Sequence, residues 1–245
     1  MTDTPYDDEF FSQQGDQSLK SARIVAPLVM RLAPIRSVID VGCGIGGWLR
    51  VFSENGVAVV RGVDGNYVDP SKLYVAPECF TGIDLTQRFN LEGKYDLAVC
   101  LEVAEHLDAR SGAELVRALT DLAPLILFSA AVPGQGGISH INEQWPEYWR
   151  RLFEEHGFKM LDPIRPLIRE DRRVSWWYRQ NIVMFASEAA ISANPALCET
   201  SDDGRGLEWI HIDMLCAPHA GVRNLLAHLK PLLGQAIRKR LPGNR

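Results

Sequence analysis

The chain has 245 residues, of which 46% are hydrophobic and 23% charged, which is enough to bury the core of one globular domain with an extension. Its formal net charge is −5, and because every charged side chain after Asp213 is basic, the rest of the chain is more acidic still. Such an acidic body repels phosphate backbones, which argues against DNA or RNA as a substrate.

The first predicted element is a helix over residues 18–32, which Pro27 is expected to bend. The segment before it, residues 10–15, is expected to form a mobile flap. Strand and helix signals then alternate, with helices over 47–55 and 111–122 and strands over 37–41, 58–64, 80–84, 95–101 and 125–130. This alternation predicts an α/β fold with a largely parallel sheet.

Three further elements complete the predicted domain. A helix begins after Trp145-Pro146 and ends before Gly157, and strands over 159–162 and 180–186 follow it. The residues of this helix that form one stripe, typical of core packing, are Trp149, Leu152, Phe153 and His156. In the preceding helix, Ser111 and Glu114 have the spacing of a capping box.

A glycine-rich turn follows the first strand, and it is the most informative segment of the chain. The sequence VIDVGCGIGG, from Val38 to Gly47, predicts a buried strand, a tight loop and the start of a helix. Such a turn is where an α/β sheet binds a nucleotide, because glycines let a ligand approach main-chain N–H groups. The spacing fits a dinucleotide through Gly42, Gly44 and Gly47. It also fits S-adenosylmethionine (SAM) through Asp40, Gly42, Gly44 and Gly46.

Acidic residues at three successive strand ends separate these two interpretations. Asp40 suits the ammonium and sulfonium groups of SAM and opposes the pyrophosphate of a dinucleotide. Asp64 ends the next strand, about 20 residues after the loop, where a ribose presents its two hydroxyls. Asp84 ends the third strand and is placed to accept a hydrogen bond from an adenine amino group. The three acids together favour SAM.

With these motifs the chain resembles the class I SAM-dependent methyltransferases over about residues 6 to 186. The resemblance implies a Rossmann-like doubly wound sheet that is mostly parallel, with one antiparallel strand near the edge. It implies that Asp64 holds the ribose and Asp84 the adenine, and that Leu85 and Glu102 also contact the cofactor. The residues that would shape the methionine pocket are Asp40, Gly42, Gly44 and Gly46.

A polar, glycine-containing loop over residues 133–146 follows the fifth strand, on the side that faces the transferred methyl group in this family. Methyl transfer to a hydroxyl requires an aligned acceptor and a group that takes its proton. His140 is the candidate base, since histidine titrates near neutral pH in water. The alternative is that His140 ties down the loop through hydrogen bonds. The loop resembles that of a bacterial subset of these enzymes through Gly136, Gly137, His140, Asn142, Glu143, Gln144, Trp145 and Pro146.

A candidate metal motif follows the fourth strand. Glu102, Glu105 and His106 have the E-x-x-E-H spacing found in the O-methyltransferases of ubiquinone synthesis, where it can hold a divalent cation. On a helix these three side chains would share one face and offer ligands to Mg²⁺ or a softer ion. The alternative is a short solvated helix that binds no metal.

The segment 176–181 is expected to enter the last strand, so that Trp176 and Trp177 point to opposite sides. One tryptophan then packs in the core and the other lines an acceptor pocket, or both pack against protein. The arginines that are expected to form a solvated face nearby are Arg165, Arg169, Arg172 and Arg173.

The predicted domain spans residues 1–186, followed by a linker over 187–206 and a basic amphipathic extension over 207–245. A helix within this extension, about residues 220–241, is expected to dock on its own domain, to form a homodimer, or to contact an anionic membrane surface. The five cysteines are scattered and lack a C-x-x-C pair, and no secretion signal is visible. The expected location is therefore the cytoplasm.

These features predict a SAM-dependent methyltransferase that acts on a small molecule or glycan, with a hydroxyl oxygen as the expected acceptor atom. One alternative is an NAD(P)-binding oxidoreductase, which Asp40, Asp84 and the lack of a Tyr-x-x-x-Lys pair oppose. Another is a SAM-binding partner subunit without turnover, which intact cofactor residues do not exclude.

Overall fold

The computed structural model describes residues 8–87, 89 and 91–197, and its centre is a seven-stranded sheet. The strands are β1 (Ser37–Val41), β2 (Val59–Asp64), β3 (Phe80–Gly82), β4 (Leu97–Leu101), β5 (Leu125–Ser129), β6 (Phe158–Leu161) and β7 (Val183–Ser187). Their order across the sheet is β3-β2-β1-β4-β5-β7-β6. Among these seven strands β7 alone runs opposite to the other six, antiparallel to its neighbours β5 and β6. The predicted α/β sheet with one antiparallel strand near its edge is confirmed.

Helices cover both faces of this sheet. They are α1 (Asp8–Leu32), α2 (Gly47–Glu54), α3 (Ala109–Leu122), α4 (Pro146–Glu155), α5 (Arg165–Ile168), α6 (Trp176–Asn181) and α7 (Glu188–Ala193). Side chains of α1 and α2 pack with Val38 and Leu97 on one face, whereas those of α3 and α4 pack with Ile39 and Ala98 on the other. Because successive strand residues point to opposite faces and both faces are covered, the central strand β4 is apolar at every position.

The parallel strands β1, β2, β4 and β5 place their carboxyl ends at one edge of the sheet. Asp40 pairs in register with Gly62 of β2 and Val99 of β4. Beyond β1 the chain hooks onto the end of β2, because the N–H groups of Gly42 and Cys43 both donate to the carbonyl of Val63, at 2.7 and 3.1 Å. This edge therefore gathers the glycine-rich turn and the polar loops into one place.

Two predicted helix starts differ from the structure. Helix α1 begins at Asp8 rather than at residue 18, so the segment predicted as a flap is part of the helix. Helix α3 has Asp108 as its N-cap, whose carboxylate accepts the Ser111 N–H at 2.7 Å. The capping-box prediction for Ser111 and Glu114 is wrong because a carboxylate three residues earlier takes the role of the cap. Glu114 pairs instead with Arg117.

The segment 176–181 is a helix, α6, and its prediction as the start of the last strand is wrong. Contacts distant in sequence hold it: the Tyr178 hydroxyl lies 3.0 Å from that of Ser18, and Asn181 donates to Glu102. Trp177 packs against the core, and its ring lies 5.8 Å from that of Trp176 in an edge-on contact.

Two surface predictions also differ. Arg165 is 1% exposed rather than solvated, because Asp162 accepts hydrogen bonds from its guanidinium in the interior. His156 is exposed just beyond α4, where Gly157 turns the chain, while Trp149 and Phe153 of the same predicted stripe are buried.

The described part of the domain continues past residue 186. Strand β7 ends at Ser187, α7 follows directly, and Ala190 and Leu197 are buried in the core. The start of the predicted linker is therefore packed structure, because its apolar residues are covered by the domain. The predicted extension over 207–245, with its dimer and membrane alternatives, lies outside the described residues. Within the described ranges no helix is both long and apolar enough to cross a membrane.

Candidate active site

A cavity of about 690 Å³ lies at the carboxyl ends of β1, β2 and β4. Its volume falls in the range of small-molecule and cofactor sites. Four carboxylates predicted from the sequence as cofactor contacts line it: Asp40, Asp64, Asp84 and Glu102. Gly42, Gly44 and Leu85 line it as well. Gly46, the remaining predicted contact, is the N-cap of α2 and does not line the cavity.

The glycine-rich turn needs glycine for two separate reasons. Gly42, Gly44 and Gly46 all have positive φ, at 85°, 52° and 83°, a conformation that other residues rarely adopt. At Gly42 a Cβ would also overlap the side chain of Val103, which follows β4. The turn therefore brings its backbone closer to the β4 loop than any other residue would permit.

Asp64 is almost fully buried at the end of β2 and accepts three hydrogen bonds. Its Oδ2 accepts the Gly44 N–H at 2.6 Å, and its Oδ1 accepts the Gly65 N–H at 2.6 Å together with the Tyr67 hydroxyl. Burial raises the pKa of Asp64, and the bonds from Tyr67, Gly44 and Gly65 offset part of that rise. Tyr67 gave no signal in the sequence analysis, since nothing local distinguishes a tyrosine that turns back onto an acid.

Asp40 is 2% exposed, and its Oδ2 has no hydrogen-bond partner among the described residues. Burial, and then the charge of Asp64, raise the pKa of Asp40 well above the usual range. A buried carboxylate without partners is unfavourable unless a cation or a donor reaches it. This side chain is therefore suited to a cationic ligand in the cavity.

Asp40→Asn is expected to stabilise the unliganded protein at neutral pH. The pKa of Asp40 is raised in the folded state, so its contribution to stability is fully present below the unfolded pKa and is lost as the pH rises through the folded pKa. Urea unfolding at a series of pH values measures this effect. As the pH rises from the unfolded-state pKa of Asp40 to its folded-state pKa, the free energy of unfolding of the variant should increase relative to that of the wild type. SAM affinity of the same variant should fall about tenfold or more. A variant less stable than the wild type at neutral pH would contradict this account.

Asp84 and Leu85 lie beyond the end of β3, which stops at Gly82 rather than at residue 84. Asp84 is exposed, and its Oδ1 accepts the side-chain hydroxyl and the N–H of Thr86, which together lower the pKa of Asp84. Leu85 is buried and offers an apolar surface to the cavity. An ionised acid beside an apolar side chain is compatible with an adenine ring.

Glu102 takes a strained conformation at the end of β4, with a φ of 56°. Its N–H donates to the carbonyl and the hydroxyl of Ser129, at 3.0 and 3.1 Å. Its carboxylate accepts the amides of Gln135 at 2.8 Å and Asn181 at 3.1 Å. Burial raises the pKa of Glu102, and the bonds from Asn181, Ser129 and Gln135 oppose that rise. Gln135 and Asn181 were missed by the sequence analysis because amides carry no spacing signal.

The far wall of the cavity comes from helices, through Ser18 of α1, Trp48 of α2 and Tyr178 of α6. The Tyr178 ring stands edge-on to Trp48 with centroids 5.4 Å apart. Burial raises the pKa of Tyr178 to about 12, so its hydroxyl remains a donor throughout the physiological range. These residues belong to the site only because α1 and α6 meet over the sheet.

The loop after β5 holds His140 against a carboxylate. The His140 Nδ1 lies 3.0 Å from Oε1 of Glu143, and this carboxylate also accepts the N–H groups of Gly134 and Gly136, each at 2.7 Å. Burial favours a raised pKa for Glu143, but the bonds from His140 and the two glycines outweigh it and lower that pKa. Gly137 leaves room for the imidazole, because a Cβ there would overlap the His140 ring.

His140 does not line the cavity, because the His106 ring lies between the two. The cavity itself is lined by Ser139 and His106, and the His106 ring contacts that of His140 edge-on at 4.8 Å between centroids. Burial, and then the neighbouring His140, lower the pKa of His106 to about 4, so His106 is neutral near pH 7.

A potential metal-binding cluster also lies here, but its members differ from the predicted E-x-x-E-H set. Ligand atoms of Glu105, His106 and His140 all lie within 4.8 Å of one another. Glu102 is not part of this cluster, because Gln135 and Asn181 hold its carboxylate elsewhere. The prediction failed because residues 104–106 form a short 3-10 turn, which does not keep Glu102 on a shared helical face.

Glu105 is fully buried, and neither of its carboxyl oxygens has a partner with hydrogen-bonding geometry among the described residues. Burial, and then the charge of Glu102, raise the pKa of Glu105 well above its usual range, while the nearby N–H groups of Glu105 and Ala131 oppose this only partly. A buried carboxyl in this state is stable when protonated or when a cation compensates it.

A mostly parallel sheet in this order, with a glycine turn and acids at consecutive strand ends, defines a SAM-dependent methyltransferase of class I. A family model described as a methyltransferase domain matches residues 17–162, and the chain belongs to this family. This membership favours SAM over the NAD(P) alternative for the cavity.

One curated relative is the ribosomal RNA large subunit methyltransferase E of Granulibacter bethesdensis, which is 34% identical over 109 residues. The match covers 42% of this chain and 47% of the relative, so the chain spans about half the length of that protein.

Two solved structures show the same fold. A magnesium protoporphyrin IX methyltransferase from Synechocystis with bound SAM has a TM-score of 0.51 at 22% identity, covering 75% of this chain and 88% of that one. An O-methyltransferase from Nostoc punctiforme, whose assignment is itself provisional, has a TM-score of 0.54 at 12% identity, covering 73% and 59%.

Proposed function

We propose that this enzyme transfers the methyl group of SAM to a hydroxyl oxygen of a small molecule or glycan. The observation that carries the proposal is the His140–Glu143 pair, which lies against the wall of the cofactor cavity at His106. Amine acceptors are nucleophilic once neutral, whereas a hydroxyl must lose its proton as it attacks, so a carboxylate-supported imidazole beside the cavity favours oxygen.

In this proposal each of the four acids lies near a different part of the cofactor. Asp40 faces the cationic methionine end, Asp64 the ribose and Asp84 the adenine, which also packs on Leu85. Glu102 lies between the methionine end and the acceptor side, where its amide bonds fix its direction. Gly42, Gly44 and Gly46 shape the turn that leaves room for the methionine.

The transfer itself is an in-line displacement. The acceptor oxygen forms a bond to the methyl carbon while the carbon–sulfur bond breaks, and its electron pair stays on sulfur in neutral S-adenosylhomocysteine. The hydroxyl proton goes to Nε2 of His140. The transfer is direct where the acceptor hydroxyl reaches past the edge of the His106 ring, and otherwise it passes through one water molecule. Glu143 accepts the Nδ1–H of His140 and stabilises the imidazolium that forms.

A divalent cation is the second candidate for handling that proton, because the donors fit one. Glu105 supplies oxygens without partners, and His106 and His140 supply nitrogens, within 4.8 Å of one another. Two imidazoles and one carboxylate suit Zn²⁺, Mn²⁺ or Fe²⁺ better than Mg²⁺, which prefers oxygen ligands. A cation held there would lower the pKa of an acceptor hydroxyl, and His140 would then be a ligand rather than a base.

The test is methyl transfer from tritium-labelled SAM to panels of hydroxylated aromatics, sugars and glycans, matched amines, and an RNA transcript. The proposal expects label on a hydroxyl compound and retained activity after EDTA treatment. Loss of activity with EDTA, restored by Mn²⁺ or Zn²⁺, would assign the proton to the cation mechanism. The RNA transcript is included because one relative is a ribosomal RNA methyltransferase. Methylation of the RNA alone would overturn the proposal of a small-molecule or glycan acceptor. SAM binding without any turnover would support a partner subunit.

A further inference from the structure

We infer that the Tyr67 hydroxyl occupies the place of a ribose hydroxyl on Asp64 and weakens cofactor binding by competing for that carboxylate. The inference rests on the proposed role of Asp64 as the ribose acceptor. Tyr67 donates to Oδ1 of Asp64, the residue at the end of β2. Both side chains line the cavity.

The hydrogen-bonding capacity of Asp64 is nearly filled by the protein itself. A carboxylate has about four acceptor positions, two on each oxygen. Oδ1 already accepts the Gly65 N–H and the Tyr67 hydroxyl, and Oδ2 accepts the Gly44 N–H. Counting the donors among the described residues, one position therefore stays open, on Oδ2. A ribose diol brings two O–H donors, so bidentate binding requires one present donor to leave.

Tyr67 is the donor that can leave. The N–H groups of Gly44 and Gly65 belong to the backbone of the glycine turn and of the β2 end, whereas Tyr67 is a side chain and is 50% exposed. Exposed side chains change rotamer within nanoseconds or less.

The local sequence is arranged to let Tyr67 turn back onto Asp64. The Val68 N–H donates to the Gly65 carbonyl at 3.1 Å, which closes a tight turn around the tyrosine. A Cβ on Gly65 would overlap the Tyr67 ring, so glycine at this position is what allows the ring to lie there. Gly65 itself does not have a positive φ, so the clearance for the ring is its distinguishing property.

Competition of this kind lowers the affinity for every ligand that carries the ribose diol. SAM and S-adenosylhomocysteine share that diol, so both should be weakened by the same factor. A site that binds the product S-adenosylhomocysteine less tightly releases it faster after the transfer. Where product release limits turnover, this faster release raises kcat.

Tyr67→Phe keeps the ring and removes the competing hydroxyl. The expected result is about three- to tenfold tighter binding of both SAM and S-adenosylhomocysteine, with the ratio of their dissociation constants unchanged. Calorimetry on the wild type and the variant measures both. Tyr74→Phe is the matched control, because Tyr74 lies outside the cavity and packs beneath Arg50.

Two further readouts separate competition from a general effect. An S-adenosylhomocysteine analogue without ribose hydroxyls should bind wild type and Tyr67→Phe equally. Gly65→Ala, which displaces the ring by steric overlap, should tighten SAM binding in the same direction, and the double variant should not exceed the larger single effect. Thermal unfolding should show a lower Tm for unliganded Tyr67→Phe and a larger rise on adding SAM.

Weaker SAM binding by Tyr67→Phe would overturn the inference, since Tyr67 would then orient Asp64 for the ribose instead of competing with it. Equal affinity of the two proteins for SAM would overturn it as well. Failure of the wild type to bind SAM at all would instead overturn the proposed cofactor site and the inference with it. The two failures are therefore distinguishable in one titration series.

Discussion

Replacing His140 with alanine is expected to lower kcat by about 10²–10⁴-fold while leaving the dissociation constant of SAM nearly unchanged. The loss follows from removing the proton acceptor of the proposed reaction. The unchanged affinity follows from geometry, because His140 lies behind His106 and does not line the cofactor cavity. Steady-state kinetics with the labelled acceptor and calorimetry with SAM give the two quantities separately.

Two variants act as controls for the His140 experiment. His156→Ala removes an exposed histidine beyond α4 and should leave kcat unchanged. Glu143→Gln keeps the imidazole but removes the carboxylate that holds its Nδ1, so it should reduce kcat less than His140→Ala does. Full turnover by His140→Ala would show that His140 only fastens the loop. Loss of a bound metal by that variant, together with loss of activity, would assign His140 as a ligand.

Replacing Asp64 with alanine is expected to weaken SAM binding by about 1.5–3 kcal/mol, or about 10- to 150-fold, through loss of charge-assisted hydrogen bonds to the ribose. The effect should be large because Asp64 is 5% exposed, so water cannot replace the missing carboxylate. Asp64→Asn, which keeps the shape of the side chain, should lose a substantial part of the same affinity. Calorimetry with SAM measures both variants, and thermal unfolding checks that they remain folded.

Asp84→Ala is the matched comparison for Asp64→Ala. Asp84 is exposed and accepts two bonds from Thr86, so its removal should weaken SAM binding several-fold less than the Asp64 change. Equal losses at the two positions would contradict the assignment of the buried acid to the ribose. Unchanged affinity of folded Asp64→Ala would remove the ribose from Asp64 altogether.

The sequence by itself determined the α/β class, the glycine turn and the acids at the strand ends. These features are local: Asp40 is the second-last residue of β1 and Asp64 the last residue of β2, and parallel strands bring their carboxyl ends to one edge of the sheet. The positive φ angles of Gly42, Gly44 and Gly46 explain why the glycine spacing was a reliable signal. The local patterns of the glycine turn and of the strand ends therefore agreed with the structure, whereas the local predictions of a capping box at Ser111 and Glu114 and of a strand start over 176–181 did not.

Only the tertiary structure decided which polar groups share the site. Glu102 meets Asn181, which lies 79 residues away, and this pairing removes Glu102 from the metal cluster that its spacing with Glu105 and His106 predicted. His140 joins that cluster instead, because the loop after β5 returns to the turn after β4. Helix α6 forms where a strand was expected, since long-range contacts such as Tyr178 with Ser18 outweigh local strand preference. Such partners are far apart in the sequence, and the connections between strands and helices decide which of them meet. No local pattern of residue types encodes those long-range contacts.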